Sequence, residues 1–135
     1  MNYWLVKSEP SEWSWDEMVR AKTTNWSGVR NHQAAANLKA MKRGDQAFFY
    51  HSNEGKEIVG IVEIVREAYP DPSDEIGKFV MVDVKAIKPL PRPVTLAEMK
   101  ATKSLADMAL IRQSRLSVCP MSAQEWQTIL KLSTA

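Results

Sequence analysis

Cysteine is nearly absent, with Cys119 the sole one in 135 residues. One thiol makes no intrachain disulfide, and a core of this size needs none, because folding buries roughly two thirds of the surface that such an unfolded chain exposes. In its apolar-flanked run Cys119 suits a buried, inert thiol in a reducing compartment. Histidine is as scarce, with only His32 and His51. No zinc-ligand spacing is present, nor a GxxxxGKS/T phosphate loop, GxGxxG, HExxH or GxSxG. No metal or cofactor is therefore expected.

Long apolar runs are missing too. No stretch of about 18 apolar residues is there to cross a membrane, and Glu9 and Glu12 stand where a secretion signal would be basic and then apolar. The expectation is a cytoplasmic protein without a membrane partner. Charge of one sign is also lacking. Eighteen basic against sixteen acidic residues give a formal +2, so any grip on phosphate must be local. No repeat divides the chain, and Pro89, Pro91 and Pro93 span too little to be a linker. One domain over residues 1–135, acting as a monomer, is expected.

What is present reads as alternating apolar runs and turn signals. Tyr3 to Lys7 is a short buried strand stopped by Pro10, its end emerging at Ser8 and Glu9. Ser14 with Glu17, Thr95 with Glu98 and Ser122 with Glu125 are capping boxes that open three helices, the first reaching Lys22. Trp126, Ile129 and Leu130 form the apolar stripe of the last one. Asn31 caps an Ala-rich helix to Met41, with Arg43-Gly44 as its stop. Strands are expected at Gln46 to Ser52, Ile58 to Arg66, Lys78 to Ile87 and near Arg115 to Cys119, paired antiparallel. Asn53-Glu54-Gly55 turns a hairpin, and Pro70 to Gly77 is a polar loop that either covers a site or merely connects. Strands in the middle with helices early and late predict an α+β domain on a curled antiparallel sheet or small barrel.

Polar groups gather at strand ends, where the mouth of such a barrel opens: Lys7-Ser8-Glu9, Trp26 to Asn31, and Tyr50-His51-Ser52. Trp26 lies between a polar Thr23-Thr24-Asn25 stretch and Ser27-Gly28, and reads as a large ring on a loop. Such a ring can stack on a base, and Gly28 lets backbone approach the base edge. Composition leaves open the other reading, in which Trp26 is a lid packed on the core and Arg30 pairs with a carboxylate. His51 reads as a hydrogen-bonded structural histidine ending a strand.

Three segments, Lys7-Ser8-Glu9-Pro10, Trp26-x-Gly28-Val29-Arg30-Asn31-x-Gln33-Ala34 and Phe48-Phe49-Tyr50-His51-Ser52, resemble the EVE domain family. Val65-x-Glu67-Ala68-Tyr69-Pro70-Asp71, Met81-Val82-Asp83-Val84 and Arg112-Gln113-Ser114-Arg115-Leu116-Ser117-Val118 follow in the family's order, so the resemblance spans nearly the whole chain. It implies a PUA-like fold, a curled β-barrel with flanking helices, related to YTH domains that read methylated adenine in RNA. It also implies non-enzymatic recognition of a modified base, such as a modified cytosine or methyladenine, in DNA or RNA, with an aromatic wall at Trp26. The sequence departs from eukaryotic members in its short Asp71 to Lys78 segment and in Ala36, where many carry Arg.

The expected base contacts are Ser8, Glu9, Trp26, Ser27, Gly28, Val29, Asn31, Tyr50, His51 and Ser52, with Lys7, Arg30 and Arg115 holding phosphates. Two alternatives are an enzyme acting on a nucleotide or RNA through His51 and Glu9, and a module gripping a methylated ammonium by cation–π attraction.

Overall fold

A computed structural model describes residues 1–135. In chain order the elements are β1 (Tyr3–Ser8), α1 (Trp15–Ala21), β2 (Thr23–Trp26), α2 (His32–Ala40), β3 (Gln46–His51), β4 (Glu57–Pro70) and β5 (Val80–Thr95). Then come α3 (Leu96–Ala101), a 3₁₀ turn (Lys103–Leu105), α4 (Ala109–Arg112), β6 (Val118–Met121) and α5 (Ala123–Ser133). The class is α+β, as expected. The six strands form one sheet in the order β2-β5-β4-β3-β1-β6. It is curled by irregularities along the long β4–β5 pair but open, since its edge strands β2 and β6 do not meet.

One pairing departs from the antiparallel expectation: β1 runs parallel to β3, Trp4 opposite Ala47 and Ser8 opposite His51. The chain between them carries α1, β2 and α2 and crosses over, which a parallel pair requires and a tight hairpin forbids. With β6 on its other side, β1 is an inner strand, and its Trp4, Leu5 and Val6 are all buried.

Local signals act as their chemistry dictates. All three capping boxes form, and the Asn31 side chain accepts from the Ala34 amide at 2.9 Å. Helix α2 ends at Ala40, however, and Gly44, at φ 95°, turns the following link rather than capping the helix. Strand β5 continues beyond Ile87 through three prolines. β2 pairs only with Val82–Lys85, so the later half of β5 has a free edge where a missing N–H costs no ladder bond. Arg115 falls in a turn closed by the Leu116 amide on the Gln113 carbonyl, which delays β6 to Val118. No helix is long and apolar enough to cross a membrane.

Adjacent residues of β3 organise the two faces of the sheet, because side chains alternate along a strand. Phe48 stacks on Trp126 of α5, with ring centroids 3.8 Å apart, and Trp126 in turn stacks on Tyr3. Phe49 points the other way and packs in T-shaped fashion with Trp15 and Trp26, ring centroids 5.3 and 5.6 Å apart. At the strand's start, buried Asp45 accepts from the Trp4 indole, the Asn2 amide and the Lys42 amide. Burial alone would raise its pKa, but those donors and the chain's amino group pull it below the ordinary value.

Gly60, the partner of Phe49 across β3–β4, makes room for Trp15: a Cβ there would lie 2.4 Å from the indole. Gly60→Ala should therefore destabilise the fold by about 1–3 kcal/mol, read as a lower urea midpoint with an unchanged m-value. An unaltered midpoint would mean that the Trp15 ring shifts without cost.

Candidate functional site

Beside the Trp26 side of the sheet lies a cavity of about 640 Å³, within the size range of small-molecule sites. Its walls come from the end of β1 (Lys7, Ser8, Glu9), the link to α1 (Glu12, Trp13), the stretch Thr24 to Arg30, and Ser52 and Ser117. Only three of these 14 residues are hydrophobic, Trp13, Trp26 and Val29, so a few apolar surfaces sit among many polar ones. The expected cluster Lys7-Ser8-Glu9 and the Trp26 to Arg30 part of the second meet here, without Asn31. Tyr50 and His51 of the third do not line the cavity, and Ser52 does.

Trp26 is not a ring on a mobile loop. It ends β2 opposite Val82 and is 8% exposed, packed against Phe49. The sequence hid this because β2 is a four-residue edge strand with one buried side chain, too short to show alternation. The chain beyond it is clamped by Asp71, from the link between β4 and β5. Asp71 Oδ2 accepts from the Gly28 amide at 2.8 Å and from Arg30 Nη1 at 3.3 Å, while Oδ1 accepts from the Ser73 amide and hydroxyl. Gly28 has φ 81°, which side-chain-bearing residues rarely adopt. Arg30 also donates to Ser73 Oγ at 2.9 Å and lies over the Phe79 ring at 5.4 Å. The Pro70 to Gly77 loop therefore does more than connect strands: through Asp71 and Ser73 it ties down the Gly28 and Arg30 part of the cavity wall, although none of its own residues lines the cavity.

The end of β1 is tied down with equal economy. Ser8 Oγ donates to the Trp13 carbonyl, Glu9 Oε1 accepts from Asn53 Nδ2 at 2.8 Å, and Lys7 Nζ donates to the Ser114 carbonyl at 2.7 Å. Burial lowers the Lys7 pKa, against a raising influence of Cys119. The Trp13 indole N–H is buried without a partner. His51 Nε2 accepts from the Trp15 amide at 3.0 Å, one of the donors a helix start leaves unsatisfied. Burial lowers the His51 pKa despite the raising influence of Glu57 and Asp16.

An EVE domain model matches residues 2–132. The chain is 39% identical to thymocyte nuclear protein 1 of Rattus norvegicus, over 99% of this chain and 74% of that protein. The chain belongs to the EVE domain family. Among solved structures, a Rhodopseudomonas palustris protein matches this EVE domain at 62% identity and a TM-score of 0.94, covering 99% of this chain and 94% of that one. The human THYN1 protein, solved in complex with 5-methylcytosine-containing DNA, matches at 36% identity and a TM-score of 0.92, covering 100% of this chain and 99% of that one.

These relatives correct the cytoplasmic expectation. Those of Rattus norvegicus, Homo sapiens and Mus musculus are named thymocyte nuclear protein 1, a name that points to a nuclear protein rather than a cytoplasmic one. That expectation rests on the lack of a signal, a span and paired cysteines, which nuclear proteins share.

In the EVE domain other expected residues fall apart spatially or into unexpected roles. Tyr50 is 3% exposed, and burial pushes its phenol pKa up. Asn31 spends its carbonyl on capping α2 and lines a neighbouring cleft with Arg115. The imidazole nitrogen and carboxylate of the enzymatic alternative are engaged with Trp15 and Asn53. Cys119 is buried, and burial raises its thiol pKa to about 11, as an inert thiol requires. Sequence reasoning missed Trp13, Glu12, Thr24, Asn25 and Ser117 as cavity walls, and Asp71 as the clamp. For Asp71 the signal was available: an Asp followed two residues on by Ser is an Asx-turn pattern.

Burial would raise the Asp71 pKa, but hydrogen bonds from Ser73, Gly28 and Arg30 overcome it and hold the group at about 2, below the ordinary 3.8. A carboxyl depressed on folding contributes stability above its unfolded pKa and loses it as pH falls toward the folded one. Asp71→Asn should therefore be less stable than wild type at pH 7 by about 2 kcal/mol. Urea midpoints should show that gap shrinking between about pH 4 and pH 2, and a gap independent of pH would assign the effect to something other than the charge.

Proposed function

We propose that the 135 residues form one EVE domain acting as a non-enzymatic reader of a modified base in DNA, with 5-methylcytosine the leading ligand. The observation that carries this reading is the cavity bearing two indoles, Trp13 and Trp26, within a polar rim. Support comes from the human THYN1 protein, solved with 5-methylcytosine-containing DNA and matched over 100% of this chain.

In the proposed mechanism a base leaves its stack and enters between the β1 end and the Trp26–Arg30 segment. Extrusion costs a few kcal/mol, and stacking on an indole returns about 1–3 kcal/mol per base. Ser8, Glu9, Ser27, Ser52 and backbone near Gly28 and Val29 meet its edge. Trp13 supplies a second wall, and its unpartnered N–H, which costs about 1–3 kcal/mol while buried unsatisfied, gains an acceptor when the ring adjusts to the ligand. Tyr50 and His51 act beneath the site: His51 sets the start of α1 and so the link that carries Trp13. Asn31 and Arg30 hold the shape of the rim. One methyl group in an apolar contact adds only about 0.8 kcal/mol, so selectivity for methylated over plain cytosine should be about fourfold unless shape excludes the unmodified base.

Oligonucleotides bearing cytosine, 5-methylcytosine, 5-hydroxymethylcytosine or N6-methyladenine, titrated against wild type, Trp13→Ala, Trp26→Ala and Trp26→Phe, test this. Each alanine variant should lose about 5- to 150-fold in affinity, the equivalent of one stacking contact, while Trp26→Phe keeps most of it. Folded alanine variants that bind every probe as tightly as wild type would sink the stacking mechanism.

A further inference from the structure

A second, smaller cleft of about 320 Å³ is lined by Asn31, Gln33, Arg112, Gln113, Ser114, Arg115 and the buried Leu116. It shares a wall with the main cavity. Arg30 and Ser117 line the larger space while their chain neighbours Asn31 and Leu116 line the smaller one. Lys7, on the rim of the larger, reaches across to the Ser114 carbonyl in the smaller. A strand whose base occupies the cavity must leave it past one of its walls, and this wall leads into the cleft.

The cleft's chemistry is one-sided. Its lining holds two arginines, three neutral amides and a hydroxyl, but no carboxylate. The first turn of α2, which borders it, has no acidic residue. Arg112 and Arg115 are exposed, and neither guanidinium has a hydrogen bond or ion pair within the protein; the two ion pairs of the chain are Arg30–Asp71 and Arg92–Glu98. The contrast with Arg30 is direct. From sequence Arg30 is an equal candidate for a phosphate ligand, but its fork is spent on Asp71, Ser73 and its neighbour's carbonyl. Two unspent forks in a concave, acid-free surface suit bidentate contact with phosphate oxygens.

We infer that the Arg112–Arg115 cleft is the backbone site of this domain, gripping phosphodiesters of the strand that flanks the base in the main cavity. This rests on the base-reading function proposed above and divides it between two separate places, so that the indoles read and the cleft holds. Phosphate contacts release counterions, so the cleft should account for a defined part of the salt dependence of binding and for none of the base preference.

The test uses the full chain and a duplex 12-mer with one central cytosine or 5-methylcytosine, its affinity measured by anisotropy over a range of salt. Arg112→Ala/Arg115→Ala should weaken both probes by the same factor and flatten the slope of log affinity against log salt by about 1 per arginine. Arg112→Lys/Arg115→Lys should keep the slope while losing part of the affinity. A double alanine variant that melts like wild type and keeps the full salt slope would overturn the assignment, as would one that changes the base preference but not the slope. Equal competition by a polyglutamate peptide of matched charge would also overturn it, in favour of an acidic protein partner. If the arginine effects appear but alanine at Trp13 and Trp26 changes nothing, the backbone site stands and the base-reading mechanism falls. A wild type that binds neither probe overturns both.

Discussion

A buried carboxylate organises the rim of the site. Asp71 gathers the Gly28 amide, the Arg30 guanidinium and the Ser73 amide and hydroxyl onto two oxygens, and so pins the segment after β2 to the loop before β5. A carboxylate at 2% exposure is tolerable only because each of its oxygens has donors. Without it the Gly28 turn would lose an anchor, Arg30 would be free to swing into solvent, and the loop before β5 would lose its own turn. The consequence reaches further than one ion pair, because those tethers also set where Val29 is buried and where the Asn31 cap starts α2.

The second organising fact is the alternation of Phe48 and Phe49. One residue serves the packing of α5 through Trp126, and the next receives Trp15 and Trp26. Four of the five tryptophans have a clear structural role, Trp4 on Asp45, Trp126 on Phe48, Trp15 on Gly60 and Phe49, and Trp26 on Phe49. Trp26 combines that role with a place in the cavity wall. Trp13 lines the cavity while its N–H lacks a partner, which makes it the least settled of the five.

Much of the rim's polarity is already committed. Ser8 and Glu9 each hold another part of the chain in place, as Asn31 and His51 do beside the cavity, whereas Ser27, Ser52 and Ser117 have no side-chain hydrogen bonds of their own. Residues of the same chemical type therefore divide between building the site and facing its contents. Their sequence neighbourhoods do not separate the two groups.

Signals confined to a few neighbouring residues were legible. The three capping boxes, the Asn31 cap, the Asn53–Gly55 hairpin and the buried first strand depend on local backbone donors and short-range periodicity, and each appears where the sequence places it. Motif order was legible too, and with it the EVE family. What required tertiary structure was whatever depends on a partner far along the chain. The parallel β1–β3 pairing, the survival of β5 through three prolines, the burial of Trp26 on Phe49 and the capture of Arg30 by Asp71 are all of this kind. By itself the sequence determined that polar strand ends and an indole near Gly28 would line one cavity. Only the folded sheet decided which of those groups bind one another and which remain free, because a hydrogen bond between residues 41 positions apart, as between Arg30 and Asp71, has no local signature.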